Sequence, residues 1–194
     1  MDLVDRYKWA HMVGIGGAGM AALARFLKAQ GMCVTGSDLA SSSTVSGLAR
    51  DGFSIGKGHC ATQVGDADLL IYSAAIPDSN VERIEAEARG ISCASRAEVL
   101  GELSRARRTI AIAGTHGKTT TASMMTDILY RAGWEPDFLV GGEVGGVAHA
   151  AVGLGEWFVV EADEFARSFH QLDPEVALVT CVEDEHLDHY GRLT

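Results

Sequence analysis

A strand-turn-helix junction near the middle of the chain constrains the fold more than any other feature. A short apolar run that contains Ile110 and Ile112 stops at Gly114, and Gly117-Lys118-Thr119 then opens a segment with helical spacing. Glycines let the backbone approach an anion closely, and the free N–H groups and positive dipole end of a helix start bind one. This junction therefore predicts a phosphate-binding loop of the short G-x-x-G-K-T form. Lys118 would neutralise β- and γ-phosphates, and the Thr119 hydroxyl would ligate Mg²⁺.

A second glycine turn lies near the N-terminus. An apolar strand that begins at Trp9 runs into G-x-G-x-x-G on Gly14, Gly16 and Gly19, and a helix and a second strand follow. Asp38 comes about 20 residues after the glycines, the spacing of an acidic residue in a dinucleotide-binding β-α-β unit. The pattern favours a nucleotide diphosphate bound at the helix end, with a tight turn that binds no ligand as the alternative.

The rest of the chain continues to alternate strands and helices, which predicts an α/β fold with parallel sheets. The strand at 68–73 contains three contiguous apolar residues and ends at Ser73, on the edge where parallel sheets bind ligands. The two glycine turns are about 100 residues apart, so we predict two nucleotide-type domains, residues 1–104 and 105–194.

Two polar residues follow apolar strands of the second domain. Glu161 ends the strand that begins at Trp157, and His186 lies after the strand at 176–180. Because parallel strands end at the same edge of a sheet, we expect Glu161 and His186 to point at the loop of Lys118 and to hold a divalent metal. His59 is assigned to a surface loop without a functional role.

Composition excludes several functions. The 194 residues include 16 basic and 26 acidic side chains, so a net charge of −10 argues against binding to nucleic acid or to an anionic membrane. No apolar run is long enough to span a membrane, and the first residues do not form a signal peptide. Four widely spaced cysteines are typical of reduced, mostly buried thiols, which indicates a cytoplasmic protein.

With these motifs assembled, the chain resembles the Mur ligase family along its whole length. The motifs VGIGGAGM, TGSD, SAAIP, AGTHGKTTT, VVEADE, SFHQL and EHLDHYG all occur in the order that the family has them. The Thr-His-Gly-Lys-Thr-Thr form of the phosphate loop is the most specific of them.

The resemblance implies a Rossmann-like domain followed by part of an ATPase domain, and a member of the family that joins L-alanine to UDP-N-acetylmuramate. ATP would phosphorylate the muramic carboxylate, and the amine of alanine would then attack the acyl phosphate. Carried over residue by residue, catalysis would use Lys118 and His116, and Mg²⁺ would be held by Thr119, Glu161 and His186. The implied ATP-binding residues are Gly114, Thr115, His116, Gly117, Lys118, Thr119 and Thr120, and the implied UDP-sugar-binding residues are Gly14, Gly16, Gly17, Gly19, Asp38 and Ser73.

The sequence departs from the family pattern at four positions. Ala166 and Cys181 stand where the family has Asp and Asn, and His149 and Glu185 replace Asn and Asp. The chain also stops partway through the second domain, so we expect it to bind the UDP-sugar but not to ligate alone. A half-built second sheet would leave an unpaired edge, which predicts either association between copies of the chain or disorder.

Three alternatives stay open at this point. A related ligase in the family attaches a tripeptide to the same sugar nucleotide. An NAD-dependent oxidoreductase would explain G-x-G-x-x-G with Asp38, but not the loop of Lys118. A UDP-sugar-binding module without catalysis would explain the four departures.

Overall fold

The computed structural model describes residues 3–141, 150–163 and 165–183, with the side chains of 165–167 left aside. The chain divides into two compact units, Met1–Val99 and Leu100–Thr194. The division falls within one helix, five residues before the boundary that the sequence predicts. Each unit is an α/β structure built on a mostly parallel sheet, which confirms the predicted fold class.

The first unit has a five-stranded parallel sheet in the order β3-β2-β1-β4-β5. Its elements are α1 (Leu3–Arg6), β1 (Trp9–Val13), α2 (Ala18–Ala29), β2 (Cys33–Asp38), α3 (Ser43–Arg50), β3 (Ser54–Lys57), a 3₁₀ helix (Ala61–Val64), β4 (Leu69–Tyr72), α4 (Val81–Ala88), β5 (Ser92–Ser95) and the start of α5 (Arg96–Arg105). The chain runs outward from β1 through β2 to β3, then returns to place β4 on the other side of β1. The carboxyl ends of β1 and β4 therefore form the switch point at which such sheets bind ligands.

Helix α2 packs through a continuous apolar face, and β1 and β4 are buried between layers. Leu23, Phe26 and Leu27 are fully buried on α2, four positions or fewer apart, as a core-facing helix requires. Leu70 and Ile71 of β4 are also fully buried, in agreement with the contiguous apolar residues of that strand. The core thus fixes the strand ends from which the first glycine turn leaves the sheet.

The second unit has a sheet in the order β10-β6-β9-β7-β8, parallel except between β7 and β8. Its elements are β6 (Arg108–Ala113), α6 (Lys118–Arg131), β7 (Asp137–Leu139), β8 (Ala150–Ala151), β9 (Trp157–Glu161), a 3₁₀ helix (Phe165–Gln171) and β10 (Val176–Val179). Strands β9 and β7 lie on one side of β6 and β10 lies on the other. The switch point of this sheet therefore lies between the carboxyl ends of β6 and β10.

A single apolar cluster holds α6 on this sheet. It joins Ile110 and Ile112 of β6 to Leu129 of α6 and to Val159 of β9, all at most 6% exposed. Branched residues suit the pleated, doubly covered strands, and this packing places the first turn of α6 directly after β6.

The cysteine side chains are more exposed than the sequence indicated. The four cysteines are all free thiols, with Cys33 and Cys60 exposed and Cys93 and Cys181 partly exposed, so the prediction of mostly buried thiols was wrong. Cys33 begins β2 and Cys60 and Cys181 lie in loops, which accounts for their exposure, whereas Cys93 packs at the edge of a core cluster. Among the described residues, every helix falls short of the length and apolarity that crossing a bilayer requires.

Gly36 gives a direct test of the packing beneath the first glycine turn. A Cβ at this position of β2 would lie 2.6 Å from the Met12 carbonyl oxygen and 2.7 Å from Cδ1 of Ile15. Gly36→Ala should therefore lower the free energy of unfolding by about 1–3 kcal/mol, because backbone must shift. Gly47→Ala is the matched control, since its Cβ would meet only the Arg25 guanidinium at 3.5 Å within α3. Chemical denaturation should find this control neutral or more stable by up to about 1 kcal/mol. Equal destabilisation of both variants would contradict the packing described.

Candidate functional site

The first glycine loop, Gly14–Gly19, is fixed to the end of β2 by its own backbone. The N–H groups of Gly14 and Ile15 both donate to the Ser37 carbonyl oxygen, at 2.9 and 3.1 Å. Gly14 has φ +78°, a left-handed conformation that glycine adopts without a steric penalty. The chain can therefore leave β1 and turn at once toward α2.

Asp38 holds the middle of the same loop. Its carboxylate accepts the Gly16 N–H at 2.8 Å and the Ala40 N–H at 2.9 Å. A Cβ on Gly16 would lie only 2.8 Å from this carboxylate. The structure thus brings Asp38 to the predicted loop, where it contacts the loop backbone directly.

Helix α2 begins at Ala18, within the last residues of this loop, with Gly17 as its N-cap residue. Glycine has no side chain that could accept the N–H groups of the first turn. These groups therefore remain available on the side of the loop. These groups and the positive dipole end provide the elements of an anion site. Ser73 lies beside the loop, because its Cβ is 3.4 Å from where a Cβ on Gly14 would stand.

Arg96 joins this site although the sequence motifs did not identify it. Its guanidinium lies directly against Gly19, where an added Cβ would come within 2.5–2.7 Å of three guanidinium atoms. A cation beside the positive end of α2 is unfavourable by itself, and a bound anion would offset both charges. The available signal was a basic residue placed immediately after strand β5, at the ligand-binding edge of the sheet.

The second loop, Gly114–Gly117, connects β6 to α6 as the sequence predicts. Gly114 has φ +126° and Gly117 has φ +79°, and Gly117 is the N-cap residue of α6. Lys118 is the first residue of that helix, followed by Thr119 and Thr120 in the first turn. The Lys118 ammonium donates to the Gly114 carbonyl at 2.6 Å and to the Thr115 carbonyl at 3.2 Å. A lysine, two glycines and a helix N-terminus therefore meet at one point.

The segment after β10 anchors the second loop. Thr115 N–H donates to the Cys181 carbonyl at 3.0 Å, and Glu183 N–H donates to the Thr115 hydroxyl at 3.0 Å. The Thr180 hydroxyl lies within hydrogen-bonding distance of the carbonyls of Ala113 and His116. The loop is thus supported from the switch point between β6 and β10.

His116 lies at the outer side of this loop. Its side chain is 62% exposed and its Nε2 is 3.6 Å from Oε2 of Glu183, which is equally exposed. Its backbone N–H donates to the Cys181 sulfur at 3.3 Å. A surface pair of this kind contributes little to stability, so the imidazole is available to a ligand.

Glu161 ends β9 next to the end of β6. It pairs in register with Ile112, two residues before Gly114. Within the described residues, its Oε1 is buried and has no hydrogen-bond partner, while its Oε2 would lie 2.8 Å from a Cβ on Gly141. A buried carboxylate oxygen without a donor is costly, and a hard cation such as Mg²⁺ would satisfy it. Glu161 therefore fits the predicted metal.

Comparisons with known proteins decide the family. The sequence matches the profile described as "Mur ligase family, catalytic domain" over residues 10–108 and the "Mur ligase middle domain" over residues 112–194. The chain belongs to the Mur ligase family.

Individual members of the family agree with this assignment. The chain is 48% identical over 185 residues to UDP-N-acetylmuramate–L-alanine ligase of Syntrophomonas wolfei and 47% identical over 192 residues to the enzyme of that name in Salinibacter ruber. These alignments cover 94% and 98% of the chain and 40% of each relative. The chain therefore spans about two fifths of the length of the curated relatives it matches.

Solved structures of the family have the same fold. UDP-N-acetylmuramate-alanine ligase from Thermotoga maritima superposes with a TM-score of 0.83 and 30% identity, over 96% of this chain and 44% of that one. A second solved structure is the UDP-N-acetylmuramate:L-alanyl-gamma-D-glutamyl-meso-diaminopimelate ligase from Neisseria meningitides. It superposes with a TM-score of 0.85 and 28% identity, and the match covers 96% of this chain and 64% of that one. The two glycine loops thus lie on a known Mur ligase framework.

Several residues singled out in the sequence lie outside the described part of the chain. These are His149, Glu185 and His186, and the side chain of Ala166 is not described either. In the described ranges, no group of three or more His, Cys, Asp and Glu side chains is placed to hold a metal. Glu161 and Thr119 are therefore the described residues of the predicted metal set, and the role of His186 stays a prediction.

His59 lies in a loop, as the sequence indicated, but its side chain is turned inward. Its side chain is only 12% exposed, and its Nδ1 lies 3.0 Å from Oε2 of the buried Glu82. The helical segment that carries Glu82 reaches back to this loop, a long-range contact that local sequence does not reveal.

Thr180 tests the anchoring of the second loop. Thr180→Val keeps the shape of the side chain but removes the hydroxyl that bonds the carbonyls of Ala113 and His116, so we expect a loss of about 1–2 kcal/mol in the free energy of unfolding. Thr180→Ser retains the hydroxyl and is the matched control, with less than about half that loss. Denaturant titration measures both values. Equal stability of the valine variant and the wild type would contradict the anchoring role.

Proposed function

We propose that this chain forms the sugar-nucleotide-binding and ATP-binding parts of a UDP-N-acetylmuramate–L-alanine ligase, an enzyme of peptidoglycan biosynthesis. The observation that carries the proposal is the 47–48% identity, over nearly the whole chain, to relatives with that name. The substrates and the activity are inferred from these relatives, because the chain spans about two fifths of their length.

The first glycine loop would bind the UDP part of the sugar nucleotide. The first-turn N–H groups of α2, after Gly17, would donate to the diphosphate, and the Arg96 guanidinium would neutralise it. Gly14, Gly16 and Gly19 would allow the close approach, with Ser73 and Asp38 at the sides of the loop. This arrangement binds an anion by local groups, as a chain with net charge −10 requires.

The second loop would bind the triphosphate of ATP. The loop residues Gly114, Thr115, His116 and Gly117 would surround the phosphates, and the first turn of α6 with Thr119 and Thr120 would direct N–H groups at them. Lys118 would move its ammonium from the carbonyls of the loop to the β- and γ-phosphates. The position of Lys118 at the start of α6, within hydrogen-bonding distance of the Gly114 and Thr115 carbonyls, supports such charge neutralisation.

The reaction would proceed through an acyl phosphate. The muramic carboxylate attacks the γ-phosphorus of ATP and ADP leaves, after which the amine of L-alanine attacks the acyl carbon and expels phosphate to form the amide. Charge develops on phosphoryl and carbonyl oxygens, so a preorganised cation contributes more than a protein nucleophile. Lys118 would supply that cation, and the exposed His116 imidazole would contact the muramic carboxylate or the transferred phosphate.

Thr119, Glu161 and His186 would hold Mg²⁺. When bound, this ion would neutralise charge on the phosphates and on the developing oxyanion. The buried Glu161 oxygen without a hydrogen-bond partner in the described residues supports this assignment.

The alternatives have less support. The curated relatives at 47–48% identity carry the alanine-ligase name, whereas the solved structures of a tripeptide ligase and an alanine ligase share a similar 28% and 30% with this chain. An NAD-dependent oxidoreductase would have no need for the loop of Lys118. Use of ATP and a sugar nucleotide agrees with a cytoplasmic enzyme, and association between copies stays a prediction.

Lys118 and Glu161 separate the two parts of the proposed ATP site. Isothermal titration should find that Lys118→Ala weakens ATP binding at least about tenfold with or without Mg²⁺, because a charged hydrogen bond is lost. Glu161→Gln should remove only the gain in affinity that Mg²⁺ provides, whereas Glu156→Gln, on the exposed turn before β9, should behave as wild type. A full Mg²⁺ dependence in Glu161→Gln would contradict the metal assignment.

Arg96 tests the proposed diphosphate contact. Arg96→Gln should weaken binding of UDP-N-acetylmuramate at least about tenfold, and should change binding of uridine alone by less than about threefold. Arg89→Gln is the control for charge, since Arg89 donates to the Gly65 carbonyl at an exposed position. Equal losses for Arg96→Gln and Arg89→Gln would show a general charge effect and overturn the contact.

A further inference from the structure

A buried carboxylate lies behind the first glycine loop, in a place that the proposed chemistry does not use. Glu82, in the first turn of α4, is fully buried. Asn80 caps this helix by accepting the N–H groups of Glu82 and Arg83 at 2.9 and 3.4 Å. The cap directs the first turn of α4, and with it the Glu82 carboxylate, into the interior of the first unit.

One oxygen of Glu82 faces β2 and the loop after β3. Its Oε2 accepts the Ser37 hydroxyl at 2.6 Å and lies 3.0 Å from Nδ1 of His59. The other oxygen, Oε1, accepts the Cys60 N–H at 3.3 Å and lies 3.7 Å from Nε2 of His11. With its amide nitrogen turned toward Glu82, Gln63 also donates to Oε1 at 2.8 Å. The carboxylate is therefore satisfied from several elements at once.

The charged form of Glu82 is favoured here. Burial by itself would raise the pKa of this carboxyl, but the polar groups of His11 and Ser37 outweigh burial, and the pKa lies below its usual value. A buried charge held in this way has a fixed position, because movement would break several hydrogen bonds in a medium of low dielectric constant.

Ser37 connects this carboxylate to the first glycine loop. The Ser37 side chain, fully buried, donates to Glu82, while the carbonyl of the same residue accepts the N–H groups of Gly14 and Ile15. Ser37 is thus held through its side chain by Glu82, and its carbonyl holds the first two residues of the loop. Ser37 precedes Asp38, whose carboxylate holds Gly16, so both anchors of the loop come from adjacent residues.

We infer that Glu82 is a positioning residue for the first glycine loop, acting through the Ser37 hydroxyl on the backbone carbonyl that anchors Gly14 and Ile15. Its ligand effect rests on the proposed function, since the loop would bind the diphosphate of a sugar nucleotide. Its structural effect, on the two anchored amides, does not depend on any ligand.

The test compares variants by amide hydrogen exchange of Gly14 and Ile15, and by calorimetric titration with UDP-N-acetylmuramate. Glu82→Leu removes the acceptor of the Ser37 hydroxyl, and Glu82→Gln retains an acceptor of the same length. Ser37→Ala removes the donor from the other side. Thr35→Val is the matched control, because Thr35 lies two residues before Ser37 but is linked to Glu82 only indirectly, through His11, whose Nδ1 it bonds at 2.9 Å and whose Nε2 lies 3.7 Å from the carboxylate.

We expect Glu82→Leu and Ser37→Ala to speed exchange of Gly14 and Ile15 at least about tenfold relative to the Phe53 amide of the same unit, and to weaken sugar-nucleotide binding by a similar factor. The double variant, with both Glu82→Leu and Ser37→Ala, should change the exchange rates and the affinity by less than about threefold beyond either single variant, because the two single changes remove the same interaction. Glu82→Gln should restore both values to within about threefold of wild type, and Thr35→Val should leave them unchanged.

The outcomes separate this inference from the proposed function. If the wild type does not bind UDP-N-acetylmuramate, the proposed function fails, and the exchange rates of Gly14 and Ile15 still decide the inference. If Glu82→Leu accelerates Phe53 as much as Gly14 and Ile15, or if Thr35→Val has the same effect as Ser37→Ala, Glu82 only stabilises the unit and the positioning role is overturned.

Discussion

In each unit, a glycine loop is hydrogen-bonded to the end of a neighbouring parallel strand. The Ser37 carbonyl at the end of β2 holds Gly14 and Ile15, and the segment after β10 holds Thr115 and His116 through Thr180 and Cys181. Both loops then enter a helix through a glycine N-cap, so the N–H groups of the first turn stay directed at the loop. Without these hydrogen bonds the flexible glycine loops could adopt other conformations and cover the N-termini of the helices. The proposed anion sites therefore depend on hydrogen bonds from the neighbouring strand end, made by backbone and side-chain groups together.

The charge of the chain explains why local groups matter. With a net charge of −10, long-range attraction cannot bring a phosphate to either loop. A helix dipole and one nearby cation have to supply the attraction at short range, Arg96 against Gly19 in one unit and Lys118 at the start of α6 in the other. Strand β9 places the Glu161 carboxylate in register with Ile112 of β6, where a divalent cation would balance its charge.

Sequence alone predicted the parts of the structure that local pattern controls. The apolar runs of β1, β4 and β6, the glycine turns after β1 and β6, and the helical spacing of α2 and α6 all occur where the sequence placed them. Contacts between distant segments could not be predicted in this way. Arg96 approaches Gly19 across about 77 residues, and its place directly after β5 marked the sheet edge but not its partner. Glu82 reaches Ser37 and His59 from α4, a contact without a local signal. The burial of the cysteines was also predicted wrongly. A small thiol fits both at an exposed strand end and in a core, so the residue type alone does not decide its exposure.

The most direct test of the account is calorimetric titration of the wild-type chain with UDP-N-acetylmuramate, ATP with Mg²⁺, and NAD. The account predicts that the sugar nucleotide and ATP each bind one site, that saturation with one ligand leaves a site for the other, and that NAD gives no heat above dilution. Binding of NAD with neither of the other ligands would contradict the central claim that the two loops form a sugar-nucleotide site and an ATP site.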